Sequence, residues 1–241
     1  DLTATANDVN VAGAIDSNGG VITISAGNDA LLGALDADDA AITITSGGKT
    51  TATTVLTTGA AVVTTGTGTG ASTFTSIAAE SIAITAANDV TVGTSTAEAI
   101  VVAGAGDVTL GATTTNVVNA ATSTGGVTAV LGTTLDSKAT TVVGGQGNDD
   151  ITLNVADVDF TVSTGDGDDE VTVTLAKTGS SVATEGGNDT VTIDETSANV
   201  VTVTTGDGDD SVILGVGSQG DNINTGDGDD TITLAIAGAA G

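Results

Sequence analysis

Gly144-Gly145-Gln146-Gly147-Asn148-Asp149-Asp150-Ile151 returns four more times along the chain. The copies are Thr164-Gly165-Asp166-Gly167-Asp168-Asp169-Glu170-Val171, Thr184-Glu185-Gly186-Gly187-Asn188-Asp189-Thr190-Val191, Thr205-Gly206-Asp207-Gly208-Asp209-Asp210-Ser211-Val212 and Thr225-Gly226-Asp227-Gly228-Asp229-Asp230-Thr231-Ile232. The aligned aspartates Asp149, Asp169, Asp189, Asp210 and Asp230 stand about 20 residues apart, evenly to within a single position. A fixed period of this size marks a solenoid, in which each repeat is one coil stacked on the last.

Between these loops the period is two. Val21 to Ile24, Ala41 to Thr45, Ile82 to Thr85, Val171 to Leu175, Thr190 to Ile193 and Thr231 to Leu234 alternate apolar with polar, as half-buried strands do. Thr and Val dominate them, and both favour strands. The Ala-rich stretch from Gly33 to Ala41 is the only rival for a helix. The expected fold is all-β: a right-handed parallel β-solenoid or β-roll of about 20 residues per coil, which over 241 residues makes roughly 12 coils. An antiparallel protein with Gly-Asp hairpin turns would not need so constant a spacing.

Counting back from Asp149 by 20 or 21 lands on Asp89, Thr69, Lys49, Asp29 and Asp8. Asn7-Asp8, Gly27-Asn28-Asp29 and Asn88-Asp89 then read as degraded copies in the same register. Residues 1–135 hold 11 acids and one lysine, and residues 136–241 hold 20 acids and two. These are two zones of one solenoid, 1–135 Thr/Ala/Val-rich with few or no ion sites and 136–241 rich in acidic loops. No Pro/Gly/Ser-rich linker separates them.

The 31 acids against three lysines give a net charge of -28. There is no His, Cys, Arg, Met, Trp, Tyr or Pro, and the only aromatics are Phe74 and Phe160. No imidazole or thiolate is present to serve as base or nucleophile, so His- and Cys-dependent catalysis is excluded. The recurring acid pairs do not read as a glycosidase site, because a catalytic pair is unique. Three lysines cannot neutralise a run of phosphates, which argues against nucleic acid. The charge repels anionic membranes, and the uncharged run from Thr50 to Ala79 is too rich in Thr and Gly for a membrane span. No signal peptide is visible, and a start at Asp1 reads as a processed product or a fragment. Threonines stand at many strand positions with no regular ladder legible on one face, which reads as a solvated β surface rather than an ice-binding one. Lys138 and Lys177 read as ordinary surface charges.

The repeated loop carries chemistry. Glycines let backbone carbonyls turn toward one point. The aspartate adds a hard anionic oxygen, and the aliphatic residue returns the chain to the core. Oxygen ligands, negative charge and a flexible turn are what Ca²⁺ prefers.

Residues 144–152 match the pattern Gly-Gly-x-Gly-x-Asp-x-aliphatic-x, and here the chain resembles the repeats-in-toxin proteins. The copies at 164, 205 and 225 have Thr for the first Gly, and that at 184 has Thr184-Glu185 for both. The likeness runs from 144 to about 233. It implies a parallel β-roll with Ca²⁺ between stacked turns, each ion shared by the aspartates of neighbouring coils: Asp149 with Asp169, Asp169 with Asp189, Asp189 with Asp210, Asp210 with Asp230. Gly145, Gly147, Gly165, Gly167, Gly187, Gly206, Gly208, Gly226 and Gly228 would lend carbonyls. Asp166, Asp207 and Asp227 are weaker candidates, expected mostly to face solvent, as are Asp168, Asp209 and Asp229. Asp29, in the same register toward the N-terminus, and Asp221, among the opposite turns, are weaker candidates too.

The family's usual repeat is nine residues, which places motifs on both sides of the roll. Here the period is a whole coil, so the five should form one rack on one side, opposite turns near 156–159, 177–180, 194–198 and 216–222. Lys49, in the aspartate register, is expected to neutralise a neighbouring carboxylate. Without ions the stacked acids repel, so the Ca²⁺ zone is expected to fold only when ions bind. At a free concentration about 100 times Kd each ion contributes about 2.7 kcal/mol.

The chain also resembles bacterial surface-layer proteins, being Thr/Ala/Gly/Val-rich, acidic and Cys-free. That implies an extracellular, cell-surface structural protein and not an enzyme, a homo-oligomeric sheet or fibre held by Ca²⁺, with cell-surface polysaccharide as a further partner. The alternative is the Ca²⁺-dependent folding and secretion module of a type I-secreted enzyme or adhesin. No polar cap closes either end, so the ends either stack on neighbours or continue into a longer protein.

Overall fold

The structure, a computed structural model, describes residues 1–135, 138–154, 158–174, 178–194, 199–217 and 220–235. Lys177 and parts of the four expected opposite turns (156–157, 177, 195–198 and 218–219) lie outside these residues, as do 236–241.

The chain winds as a parallel β-solenoid of about 11 turns. One sheet has twelve strands and the other thirteen, and every strand pairs in parallel with the strand one coil away. Parallel pairing throughout rules out the hairpin alternative. The two sheets run without a break from Leu2–Ala6 and Val9–Val11 to Asn222–Asn224 and Thr231–Leu234. Twelve strands make eleven steps, one fewer than the coil count expected from the length. At about 4.8 Å per step the stack is roughly 53 Å long.

The alternation in the sequence is the reason for the strands. Ile22 and Ile24 point inward from Ile22–Ala26 and sit over Ile42 and Ile44 of Ile42–Ser46, all fully buried. Phe74 and Phe160, the only aromatics, are both inside. In the last described coil Ile232 and Leu234 are 45% and 63% exposed, since no other described coil lies over them.

The stretch from Gly33 belongs to a strand, Ala30–Asp36, and not to a helix. Its pairing with Thr50–Leu56 omits Gly33, so the strand bends there and puts both Leu32 and Leu35 into the core. Seven-residue bent strands of this kind recur up to Val127–Thr133, and four-residue strands follow from Asp150–Leu153 onward.

A threonine ladder does form, contrary to the sequence reading. Thr51, Thr73, Thr91, Thr109 and Thr128 stack in successive strands on the outside of the thirteen-stranded sheet. Coils of unequal length hid it, since the residue numbers along the ladder advance by uneven steps.

Candidate metal centre

Five aspartates stand one above another where the chain enters the strands of the thirteen-stranded sheet. Each strand pairing carries the residue before it, so the register Asp150↔Glu170↔Thr190↔Ser211↔Thr231 stacks Asp149, Asp169, Asp189, Asp210 and Asp230. The first four are buried.

A hydrogen-bond ladder holds the column. The backbone N–H of Val127 donates to Asp149 Oδ1 at 2.7 Å. Asp149 N–H donates to Asp169 Oδ1 at 2.8 Å, Asp169 N–H to Asp189 Oδ1 at 2.9 Å, Asp189 N–H to Asp210 Oδ1 at 2.9 Å and Asp210 N–H to Asp230 Oδ1 at 3.0 Å. Each carboxylate therefore caps the coil before it.

A second ladder runs the opposite way, one residue earlier and on the outside. Asp168 N–H donates to Asn148 Oδ1, Asn188 N–H to Asp168 Oδ1, Asp209 N–H to Asn188 Oδ1 and Asp229 N–H to Asp209 Oδ1. Earlier in the same loops Asp166, Gly186, Asp207 and Asp227 are bridged in parallel, backbone to backbone. Asp166, Asp207 and Asp227 face solvent.

The second oxygens of the inner column set up the chemistry. Asp149 Oδ2 accepts from the N–H of Gly145 at 3.1 Å. Asp169 Oδ2, Asp189 Oδ2 and Asp210 Oδ2 are buried and accept no hydrogen bond. A buried carboxylate oxygen without a partner is costly and calls for a cation or a proton. Burial raises the pKa of Asp149 and Asp189 and pushes Asp169 up to about 7. At Asp169 the nearby Thr164 hydroxyl, whose hydrogen bond goes to Thr184 O at 3.5 Å, and the Asp149 N–H oppose the shift, and the charges of Asp149 and Asp189 add to it.

The first copy of the motif differs from the rest for a steric reason. A Cβ on Gly144 would lie 1.9 Å from Asp149 Oδ2, which has turned back to Gly145. In the later copies Thr occupies this place. Thr184 Oγ1 donates to Thr205 O at 3.2 Å and Thr205 Oγ1 to Thr225 O at 3.0 Å, stitching the coils beside the carboxylates.

The glycine column forms a carbonyl cradle. A Cβ on Gly187 would meet Gly167 O at 1.9 Å, and one on Gly208 would meet Gly187 O at 1.7 Å. Gly187 and Gly208 also have φ of 138° and 140°. At the position of Gly165, Gly206 and Gly226 the third copy carries Glu185, the one motif side chain held in the left-handed region, at φ 73°. Its carboxylate accepts from Ser163 Oγ at 2.9 Å. The carbonyls of Gly165 and Gly206 already accept an N–H from the next coil, leaving one lone pair each. Among the described residues no three acidic side chains converge to hold an ion, so an ion in the column would complete its shell with carbonyls. The unpaired carboxylate oxygens, with the backbone carbonyls of the same loops, are the kind of donors a hard, oxygen-seeking cation such as Ca²⁺ takes.

The N-terminal acids stand in the other column. Register places Asp8, Asp29, Lys49, Asp89, Asp107 and Gly126 in line with Asn148, on the outside. In line with Asp149 are Val9, Ala30, Thr50, Ser72, Val90, Val108 and Val127. The three coils that lead from Val90 through Val108 and Val127 to Asp149 are unequal, and together they fall a single position short of three coils of the C-terminal length. A slip of one residue turns a side chain from inside to outside. Asp29 accordingly faces solvent and accepts the N–H of Lys49 at 3.0 Å. Lys49 meets Asp29 through its backbone, not through the ammonium group expected to neutralise it.

Where the inner column lacks acids, a neutral group does the capping: Ser72 Oγ accepts the Thr50 N–H at 2.8 Å. The opposite edge repeats the device, with Ser180 Oγ accepting from Phe160 N–H and Asp221 Oδ1 from Val201 N–H. Asp221 Oδ2 is also buried and unpaired, but Asp221 lies across the coil from the rack. The outer Asn/Asp ladder and the Ser caps escaped the sequence reading, because their partners are a whole coil away.

The fold and this column define a parallel β-solenoid with stacked, buried carboxylates. No family model, curated protein or solved structure matches the chain.

Proposed function

We propose that the inner aspartate column binds Ca²⁺ between coils, in the manner of a repeats-in-toxin β-roll, and that the chain is an extracellular structural protein. On this reading it is a Ca²⁺-dependent surface-layer or filament subunit built from stacked β-solenoids. The observation that carries the proposal is the row of three buried oxygens, Asp169 Oδ2, Asp189 Oδ2 and Asp210 Oδ2, none with a donor. Bound Ca²⁺ supplies positive charge to a column that burial and mutual repulsion otherwise destabilise. The inner aspartates are its anionic ligands, and the glycine carbonyls complete the shell.

Two features support a structural role over catalysis. The acids repeat coil after coil, and the chain contains no imidazole or thiol. The net charge of -28 and the absence of cysteine accord with a cell-surface location, where Ca²⁺ is abundant and polysaccharide is at hand.

The test is a chelator titration followed by circular dichroism. Loss of part of the β signal without Ca²⁺, restored by Ca²⁺ and not by Mg²⁺, supports the metal column; full β-structure and unchanged melting in excess chelator overturn it. Electron microscopy then separates the two extracellular roles. Ca²⁺-dependent sheets or fibres support the subunit, and monodisperse particles support a folding and secretion module of a larger secreted protein.

A further inference from the structure

The charges of this chain are distributed very unevenly over its surface. None of the twelve strands of the first sheet, from Leu2–Ala6 to Asn222–Asn224, contains a charged residue. The strands of the other sheet contain Asp16, Asp36, Asp150 and Glu170, and the other charges among the described residues lie in the turns and ends. The chain has 31 acids, so twelve successive strands that contain none of them are a feature of the fold; one carboxylate, that of Glu185, reaches the edge of the face at Ser163 Oγ.

The outward residues of that face are small and stacked in register. Thr3, Thr23, Thr43, Val62, Ala83 and Val101 form one column. Val21 and Val101 are 39% and 45% exposed. Small side chains let a second sheet approach to the usual spacing of about 10 Å.

We propose that this face is where two copies of the chain meet, sheet against sheet. The proposal deepens the structural-subunit reading above and rests on it. Two polyanions of charge -28 repel wherever their acidic turns come together. The uncharged sheet is the surface on which that repulsion is least. Its size fits. Eleven steps of about 4.8 Å and strands about 15 Å long give roughly 800 Å². A stable interface of standard size takes about 800 Å² from each partner. A two-fold axis lying in the plane of the face, across the middle of the stack, would pair the same patch on both copies. Val101, on the sixth of the twelve strands, then lies near that axis.

The experiment uses the full chain in saturating Ca²⁺, with folding of each variant checked by circular dichroism. Light scattering is expected to give twice the chain mass for the wild type. Val101→Glu should halve that mass, and Thr91→Glu, on the outside of the opposite sheet, should leave it unchanged. Because the chain has no cysteine, Val101→Cys and Thr91→Cys each accept a single spin label. A short label-to-label distance is expected for Val101→Cys and none for Thr91→Cys. A monomeric wild type, a dimer that survives Val101→Glu, or equal loss with Thr91→Glu overturns the proposal. So does a monomer that gains mass on adding dextran and loses that gain in Val101→Glu, which would make the face a glycan site. The chelator titration reads the carboxylate column and the light scattering reads the face, so either reading can fail alone.

Discussion

The backbone N–H of Asp149 donates to Oδ1 of Asp169 across 2.8 Å, and the other oxygen of Asp169 is buried with no donor at all. One carboxylate thus does two jobs. Its first oxygen locks the preceding coil, and its second leaves a negative site between coils. The arrangement repeats at Asp189 and Asp210, so what is decided at one coil is decided for the column.

Replacing Asp189 by Asn keeps an oxygen for the Asp169 N–H and removes the charge. In chelator the variant should be more stable than the wild type by about 1–2 kcal/mol, since a desolvated charge is gone. In Ca²⁺ it should be less stable by a similar amount or more. Melting curves in the two buffers are expected to cross; a variant weaker in both would mean that the column holds no cation.

The metal-free chain should lose stability as pH rises. The carboxyl of Asp169 sits at about 7 in the folded state against 3.8 when free, and those of Asp149 and Asp189 are raised too. The folded chain therefore holds protons that the unfolded chain releases. Their stabilising effect is complete below about pH 4 and is lost as pH climbs through about 7. Denaturant melts in chelator between pH 4 and 8 check the sign. Saturating Ca²⁺ should flatten or invert the dependence.

Gly187→Ala should cost about 3 kcal/mol or more, because its Cβ would lie 1.9 Å from Gly167 O and its φ is 138°. Gly179 is the control. Its φ is 102°, yet a Cβ there meets nothing within 4 Å, so Gly179→Ala should cost only the backbone term of about 1–2 kcal/mol. Equal losses in urea melts would mean that the glycine column is not packed as described.

The register of the N-terminal coils can be tested at adjacent residues. Asp89 lies outside and accepts the Asp107 N–H at 3.2 Å, whereas Val90 is 1% exposed. Asp89→Ala should cost no more than about 1 kcal/mol, and Val90→Asp about 3 kcal/mol or more at neutral pH. The reverse order would restore the register obtained by counting back in twenties.

Ser72→Ala should remove the cap on the Thr50 N–H and cost about 1–2 kcal/mol, with no dependence on Ca²⁺. A melting shift that changed with Ca²⁺ would tie this uncharged coil to the ion-binding column.

Much of the fold was open to sequence reasoning, for a local reason. Strand alternation and Gly-rich turns are written within a few residues, and the C-terminal coils are so nearly equal that Asp149, Asp169, Asp189, Asp210 and Asp230 align by counting. Further back some coils are shorter and others longer, as the stacking of Val90 on Val108 and of Val127 on Asp149 shows, and counting fails. Asp29 and Asp89 look like members of the buried column and stand outside it.

The amino-acid order by itself determined a coiled ribbon of parallel strands with five acidic turns along one edge. Only the stacked structure decided which face each side chain takes, because one residue gained or lost in a coil reverses inside and outside. It also decided which carboxylate oxygens are left without a donor and that one whole sheet carries no charge. Those properties belong to neighbours a full coil apart, and no stretch of sequence contains both partners.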